Sequence, residues 1–358
     1  MICFDHSLSR MVTVAIEKSK QFADLLAKIR NIVTFFKRST KAADDLRSLQ
    51  KSGGKTEGEI RKLKKDEPTR WTSNFEMLES FIRLAEFVGV ILSRYAHVEM
   101  LSGSDMTAAI EGRDNFQPVM HAITELEAEK ISLAGKVIPL MSMVRTMLKS
   151  FKPKSECVKG FRSALLEQFD SRFEHIAFVD GIAIATLLDP RFKALHLKPL
   201  AYARVVQVVS DMMKESEKKE RGQLASNTEN TSSQSKSNQT HIQNIWDIHD
   251  RMVVEQTAQL EPDRPGGVSG ELRNFLHQKV IPRSSDPLEA WSAIKSEYPH
   301  LHPIAKDFLS RMVTSVPAER MFSRTGRTCE NRYRLNATRM AKLTFLSSLQ
   351  DTDWFLDT

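Results

Sequence analysis

The chain of 358 residues contains only three cysteines. Tryptophan and tyrosine are also rare, with four residues of each. Cys3, Cys157 and Cys329 are far apart and odd in number, which excludes a disulfide framework and a zinc module built on closely spaced cysteines. Cys3 and His6 form a lone Cys-x2-His pair, for which we expect packing and not metal binding, because a zinc site needs about four ligands. No metal site is therefore predicted, and a reducing compartment is expected.

Long apolar runs are also missing, since no stretch approaches the ~20 apolar residues that a membrane-spanning helix needs. The N-terminus has an early acidic residue and no uninterrupted apolar core, which makes it a poor signal peptide. The phosphate-binding loop G-x-x-x-x-G-K-[ST] and the patterns G-x-G-x-x-G, H-E-x-x-H and G-x-S-x-G do not occur. These absences predict no membrane partner and a nuclear protein, with the cytosol as the alternative compartment.

Basic residues are what the sequence has in excess, with a net charge of +7 and a pI near 9.2. A positive balance favours polyanionic partners, with nucleic acid first among them, although many basic proteins bind none. Hydrophobic residues make up 41% of the chain, which is enough for a packed core.

Apolar residues recur in steps of three and four along most of the chain, which predicts a mainly α protein. The first such pattern covers 8–49 and predicts one helix, and a second helix follows the stretch DEPTRWTSN. Residues 182–188, IAIATLL, fit a buried strand or a buried helix, and their helical neighbours favour the helix. Further helices are predicted at 117–149, 157–175, 199–219, 271–278, 287–295, 301–312, 317–328 and 337–350.

Two stretches predict breaks between folded parts. Residues 214–240 are charged and then rich in Ser, Asn, Thr and Gln, which predicts a disordered linker because so few apolar side chains cannot offset the ordering entropy. Residues 261–270, EPDRPGGVSG, predict a second break.

Two short motifs each allow more than one interpretation. Arg70 and Trp71 are suited to stacking on an unpaired base, but a Trp that anchors a helix entry at the edge of the core is the more ordinary arrangement. In LLDPRFKAL, residues 187–195, Asp189 precedes a proline and is expected to cap a turn or helix. Arg191 and Lys193 are predicted to lie on an ordinary helix surface.

The C-terminal part combines arginines, one carboxylate and an apolar stripe. Arg320, Arg324 and Arg327 are suited to binding phosphates or to forming ion pairs within the chain, and the sequence leaves both open. Asn336 is predicted to cap the last helix, whose apolar stripe is Met340, Leu343, Leu346 and Leu349.

Four pieces, read in order, resemble the hAT superfamily of DDE transposases and the related BED-type zinc-finger proteins. They are CFDHSLSRMVTVAIE at 3–17, PTRWTSNFEML at 68–78, LLDPRFKAL at 187–195, and residues 286–346, which begin DPLEAWSAIK. The last piece is similar to the hAT C-terminal dimerisation region and is long enough to be specific.

The resemblance implies a fold and a division of the chain. It implies a helical insertion domain joined to the C-terminal end of an RNase H-like core, with the core strands and the BED finger absent from this sequence. Residues 1–50 then correspond to a helical remnant after the core strands, 66–213 and 241–266 to the helical insertion, 214–240 to the linker, and 267–350 to the dimerisation region.

The resemblance also implies roles for individual residues. Glu319 corresponds to the third acid of the Asp-Asp-Glu triad, whose carboxylates hold two metal ions in that chemistry. The two aspartates precede the piece at 3–17 in the family, so we expect no enzyme activity and a need for Mg²⁺ only in a complete transposase. Arg70 and Trp71 match a DNA-contacting motif. Self-association, or pairing with a related hAT protein, is expected through Trp291, Phe322 and the apolar stripe. The alternatives are a non-specific DNA-binding protein and a fragment of an active DDE transposase.

Overall fold

The computed structural model describes residues 4–67, 72–95, 97–127, 134–220, 245–258, 270–311 and 336–348. These residues form α-helices and loops with no strand element, so the mainly α prediction is confirmed for the described part of the chain. The helices are α1 (Phe4–Lys18), α2 (Lys20–Arg38), α3 (Thr40–Ser52), α4 (Thr72–Leu92), α5 (Gly103–Leu126), α6 (Val137–Ser150), α7 (Glu156–Phe173), α8 (Asp180–Leu188), α9 (Pro199–Glu220), α10 (Asp247–Ala258), α11 (Gly270–His277), α12 (Pro287–Ala293), α13 (Leu301–Leu309) and α14 (Ala337–Ser348).

The pattern over 8–49 gives three helices and not the single helix predicted. The breaks fall at Ser19 and Ser39, where the backbone leaves the helical conformation. The Ser39 hydroxyl accepts a hydrogen bond from the Ala42 amide at 3.2 Å and so caps the start of α3. A serine side chain competes with the helix for backbone groups in this way, and a one-residue break leaves the apolar spacing on both sides unchanged.

An aromatic trio forms the centre of the first half of the chain. Phe22 of α2 stacks on Phe161 of α7 with ring centroids 4.2 Å apart, and Phe116 of α5 lies 4.9 Å from Phe161. Gly112 allows this contact, because a Cβ atom there would lie 2.5 Å from the Phe22 ring. Helices α1, α2, α5 and α7 therefore meet around one close-packed core.

Helix α8 occupies the corresponding position in the second half, where it contacts α6, α9 and α13. It is formed by the IAIATLL segment, so the preference for helix over strand is confirmed. All six residues 183–188 are buried, which explains why the segment is apolar on every face and shows no helical period.

Two further predictions concern the ends of helices. Helix α9 continues to Glu220, in agreement with the helix predicted at 199–219, so the first seven residues assigned to the linker, 214–220, are helical. Lys and Glu, which are common there, are strong helix formers. The rest of that segment, 221–240, and the predicted helix at 317–328 lie outside the described residues. The Asn336 side chain accepts a hydrogen bond from the Arg339 amide at 2.9 Å, which confirms the predicted cap of α14.

None of the helices described is long and apolar enough to cross a membrane.

Candidate functional site: the C-terminal helices and their anchor

The predicted site residues fall into two groups. The first group lies outside the described residues and consists of Glu319, Arg70, Trp71, Arg320, Arg324, Arg327, Phe322 and Leu349. Trp291, Met340, Leu343 and Leu346 lie within them, on α12 and α14.

Trp291 is an internal anchor of the C-terminal helices. Its side chain is 1% exposed, and its ring stacks on Phe275 of α11 with centroids 4.6 Å apart. The indole N–H donates to the carbonyl oxygen of Leu188, at the end of α8, over 2.8 Å. This burial within the chain argues against the predicted role of Trp291 as a direct contact to a partner. The residue instead fixes α12 to the core.

The acceptor of that bond is the second residue of the LLDPRFKAL motif, which contains a fully buried ion pair. Asp189 and Arg191 both have side chains with 0% exposure. Asp189 Oδ1 accepts from the Arg191 amide at 3.0 Å and from its Nε at 2.8 Å, while Oδ2 accepts from Nη2 at 2.6 Å. The bond to the amide two residues on is the predicted turn cap. The expectation that Arg191 lies on the surface was wrong.

Lys193 is also buried, contrary to the prediction, and connects the motif to α11. Its Nζ donates to the carbonyl oxygens of Phe275 and Gln278 at 2.6 and 2.5 Å. These carbonyls belong to the C-terminal end of the helix, where acceptors have no partner within the helix and the dipole is negative. Lys193 has a φ of +48°, a left-handed conformation that is rare for a residue with a side chain. Burial lowers the pKa of this amine to about 7.

A second buried contact links the end of the motif to α10. His196 Nε2 and His249 Nδ1 are 2.9 Å apart, so one ring donates and the other accepts. Burial lowers the pKa of His196 to about 3, with His249 as a smaller second cause. Burial likewise lowers the pKa of His249 to about 4, with the charge of Arg283 as the second cause. Both rings are therefore neutral at pH 7.

Trp246 covers this histidine pair and extends the network to α5. Its ring stacks on Phe192 with centroids 5.8 Å apart, and its indole N–H donates to Glu125 at 3.2 Å. Glu125 also accepts from Lys136 at 2.9 Å. Burial opposes ionisation of Glu125, but these hydrogen bonds outweigh it and lower the pKa of the carboxyl. The motif thus joins the helical body to α10, α11 and α12.

Helix α14 differs from these anchored helices because it leaves two large apolar side chains exposed to solvent. Met340 and Leu343 are half-buried, whereas Phe345 is 62% and Leu346 43% exposed. Contiguous exposed apolar side chains are a feature of interaction surfaces. The predicted stripe included Leu346 but missed Phe345, which lies outside the spacing of three used to define it.

Metal-binding geometry is not found among the residues described, where no group of three or more His, Cys, Asp and Glu side chains could hold an ion. The buried polar groups of the site instead pair with one another. Asp189 is held by Arg191, Glu125 by Lys136, and His196 by His249.

Two family models match the chain and indicate the class of protein that it resembles. Residues 1–109 match the ZBED1 RNase-like helical domain, and residues 271–349 match the hAT family C-terminal dimerisation region. The first match covers α1 to α4, and the second covers α11 to α14 with Trp291 and the exposed face. The resemblance to hAT transposases and BED-type zinc-finger proteins is thereby confirmed.

One curated relative extends the similarity along the chain. It is the human zinc finger BED domain-containing protein 4, which is 24% identical over 324 residues, or 90% of this chain. The chain spans about a quarter of that protein, since the match covers 26% of its length. The similarity thus includes the segment between the two family models, where the buried LLDPRFKAL network lies.

Proposed function

We propose that this transposase-derived chain self-associates through its C-terminal helices and that α14 supplies the contact. The match of residues 271–349 to the hAT dimerisation region supports self-association. The observation that carries the choice of α14 is the exposure of Phe345 and Leu346, two consecutive residues about 100° apart around the helix. A twelve-residue helix is about 18 Å long, which allows a second copy or a related hAT protein to bury this stripe.

Light scattering after size-exclusion chromatography at about 10 µM chain tests the proposal, because micromolar association corresponds to about −8 kcal/mol. We expect a dimer for the full chain and a monomer for the double variant Phe345→Glu with Leu346→Glu. The control is Leu200→Glu on α9, which removes a leucine that is 72% exposed elsewhere on the surface. A monomeric parent chain, or a double variant that remains dimeric, would contradict the proposal.

The choice of point variants follows from the structure. A deletion of everything after residue 266 would remove Phe275 and Trp291 and leave Leu188 and Lys193 without their partners. Loss of the dimer in such a deletion would then reflect loss of the fold. Substitution of exposed residues on α14 leaves the buried anchor in place.

We also propose that these 358 residues do not carry out metal-dependent strand transfer. The support is the resemblance, in which Glu319 is the third acid and the other two acids precede residue 3. Two-metal chemistry needs its full set of carboxylates. A nicking and strand-transfer assay with Mg²⁺ or Mn²⁺ tests this, and activity that is lost in Glu319→Ala would overturn it.

A second function is non-specific DNA binding in the nucleus. It is supported by the net charge of +7 and by the similarity to a BED zinc-finger protein. Anisotropy titration with a labelled duplex at low salt tests binding itself, and a chain that does not bind at 50 mM salt would exclude it.

A further inference from the structure

One short stretch of the chain has a large excess of basic residues. Residues 37–65 contain ten basic and four acidic residues, a balance of +6 out of +7 for the whole chain. Nine of the ten basic side chains are exposed, and Lys55 is intermediate. The stretch includes the end of α2, all of α3 and the extended segment that follows. The stretch is thus one of two strongly basic parts of the chain, since residues 301–350 contain nine basic and three acidic residues.

The extended segment is held in a fixed position by its backbone. The buried side chain of Gln50 on α3 donates to the carbonyl oxygen of Arg61 at 2.9 Å and accepts from the Arg61 amide at 3.0 Å. Leu63 is inserted into the core, and the Lys64 amide donates to Ser80 on α4 at 3.0 Å. These contacts fix the chain over successive residues without using any of its basic side chains.

The far end of the segment is fixed by an ion pair. Asp66 is buried, and its carboxylate accepts from Arg30 Nε on α2 at 2.7 and 3.0 Å. Leu63 and Asp66 therefore face inward, and the residues around them face outward. We name the four outward basic residues Arg61, Lys62, Lys64 and Lys65 the basic strip.

The basic strip lies beside other basic side chains. Arg61 and Lys62 line a groove of about 360 Å³ together with Lys37 of α2 and Arg47 of α3. Asp44 and Glu57 also line it, and Glu57 pairs with Arg47. In the strip, Lys64 pairs with Glu76 at 3.0 Å, and both side chains are at least half exposed. An exposed pair of this kind is worth little, so a phosphate can replace the carboxylate.

We propose that the basic strip and the adjoining groove bind the phosphate backbone of double-stranded nucleic acid. A row of exposed cations is suited to binding the phosphates of a polyanion. Because the backbone that carries them is already ordered in the folded protein, binding does not incur the entropy cost of ordering it. Residues 37–65 contain no Phe, Tyr or Trp, so the surface lacks the stacking platform that single-strand binding uses. No large apolar side chain is exposed in this stretch, which does not favour insertion into a membrane surface.

The inference rests on the second proposed function, and the test separates the two. A fluorescein-labelled 20-base-pair DNA duplex is titrated with the full chain at several salt concentrations, and the variant Arg61→Gln, Lys62→Gln, Lys64→Gln and Lys65→Gln is compared. We expect at least a tenfold loss of affinity at low salt and a salt slope smaller by roughly 0.9 for each lost phosphate contact. Leu63, Asp66 and Gln50 are unchanged, and the helical circular dichroism signal and melting temperature verify the fold.

The matched control removes the same charge from another surface, with Lys149→Gln, Lys152→Gln, Lys154→Gln and Lys159→Gln, all exposed in the parent. We expect it to bind nearly as the parent does. Equal losses in both variants would overturn the proposal and assign binding to overall charge. Tighter binding of the single strand, or equally tight binding of polyglutamate or anionic vesicles, would overturn the choice of partner. A parent chain that binds no duplex would exclude the second function itself.

Discussion

The Nζ atom of Lys193 lies 2.6 Å from the carbonyl oxygen of Phe275, a residue 82 positions further along the chain. The same amine donates to Gln278, so one side chain satisfies two acceptors at the end of α11. Replacement by a side chain of similar length without a donor leaves both carbonyls unpaired.

For Lys193→Met we expect a loss of about 2 to 4 kcal/mol in the free energy of unfolding, because each buried unsatisfied acceptor costs about 1–3 kcal/mol. Urea titration followed by circular dichroism measures it. Lys198→Met, at an exposed position nearby, should change stability by less than about 0.5 kcal/mol. Equal effects of the two substitutions would mean that the contacts of Lys193 contribute nothing.

Breaking the buried ion pair of Asp189 and Arg191 should destabilise the protein more than breaking an exposed ion pair. Asp189→Asn leaves a buried guanidinium without its counter-charge, and a loss of about 3–5 kcal/mol is expected. Asp180→Asn breaks a pair with Arg204 in which both side chains are 49% exposed, and should cost at most about 1 kcal/mol. Thermal unfolding of both variants compares them, and similar melting temperatures would contradict the buried pair's role.

Two glycine-to-alanine substitutions are expected to have opposite signs. A Cβ at Gly135 would lie 2.2 Å from Asp189 Oδ2, so Gly135→Ala must displace the buried carboxylate. We expect a loss of about 1–3 kcal/mol there. Gly160 lies inside α7 with nothing within 4 Å of its Cβ position, so Gly160→Ala should stabilise by about 0.5–1 kcal/mol. Chemical denaturation measures the free energy of unfolding of both variants. A stabilising effect of Gly135→Ala would show that Asp189 is not closely packed against residue 135.

The histidine pair predicts loss of stability in mild acid. The folded-state pKa values of His196 and His249 are lowered to about 3 and about 4 from 6.5, so the unfolded chain binds protons first as the pH falls. Stability from this source is complete above pH 6.5 and declines as the pH is lowered toward 4. Between pH 6.5 and 5 the decline is at most about 2 kcal/mol for each histidine.

Urea titrations at pH 7.5, 6 and 5 measure this decline. The double variant His196→Gln with His249→Gln lacks both imidazoles and should show a flatter dependence on pH, although it is less stable at pH 7.5. A variant whose stability declines as steeply as that of the parent would assign the acid sensitivity to other groups.

The sequence predicted features that depend on neighbouring residues and missed those that depend on distant ones. Asn336 was identified as a cap because its partner is three residues away, and α8 because its neighbours are helical. Arg191 and Lys193 were placed on the surface because nothing near them in the sequence shows what buries them. Their environment comes from Gly135, Phe275 and Gln278, which only the fold brings close.

The same limit applies to the N-terminal helices and to the self-association surface. Ser19 and Ser39 interrupt α1–α3 without disturbing the apolar spacing, so periodicity predicted one helix. Trp291 and Leu346 looked equivalent as large apolar residues of one region, yet the first is buried and the second exposed. Which of them faces solvent depends on how α12 packs against α11 and the end of α8, and no local pattern records that.

The hydrogen bond from Trp291 to the Leu188 carbonyl oxygen closes a loop of 103 residues. During synthesis, α8 and the LLDPRFKAL motif emerge from the ribosome long before α11 and α12 exist to cover them. At about 5–20 residues per second, this apolar segment waits for several seconds with its buried face open. Contacts of such long sequence separation also slow folding. The nascent chain therefore exposes an apolar surface that the finished protein buries.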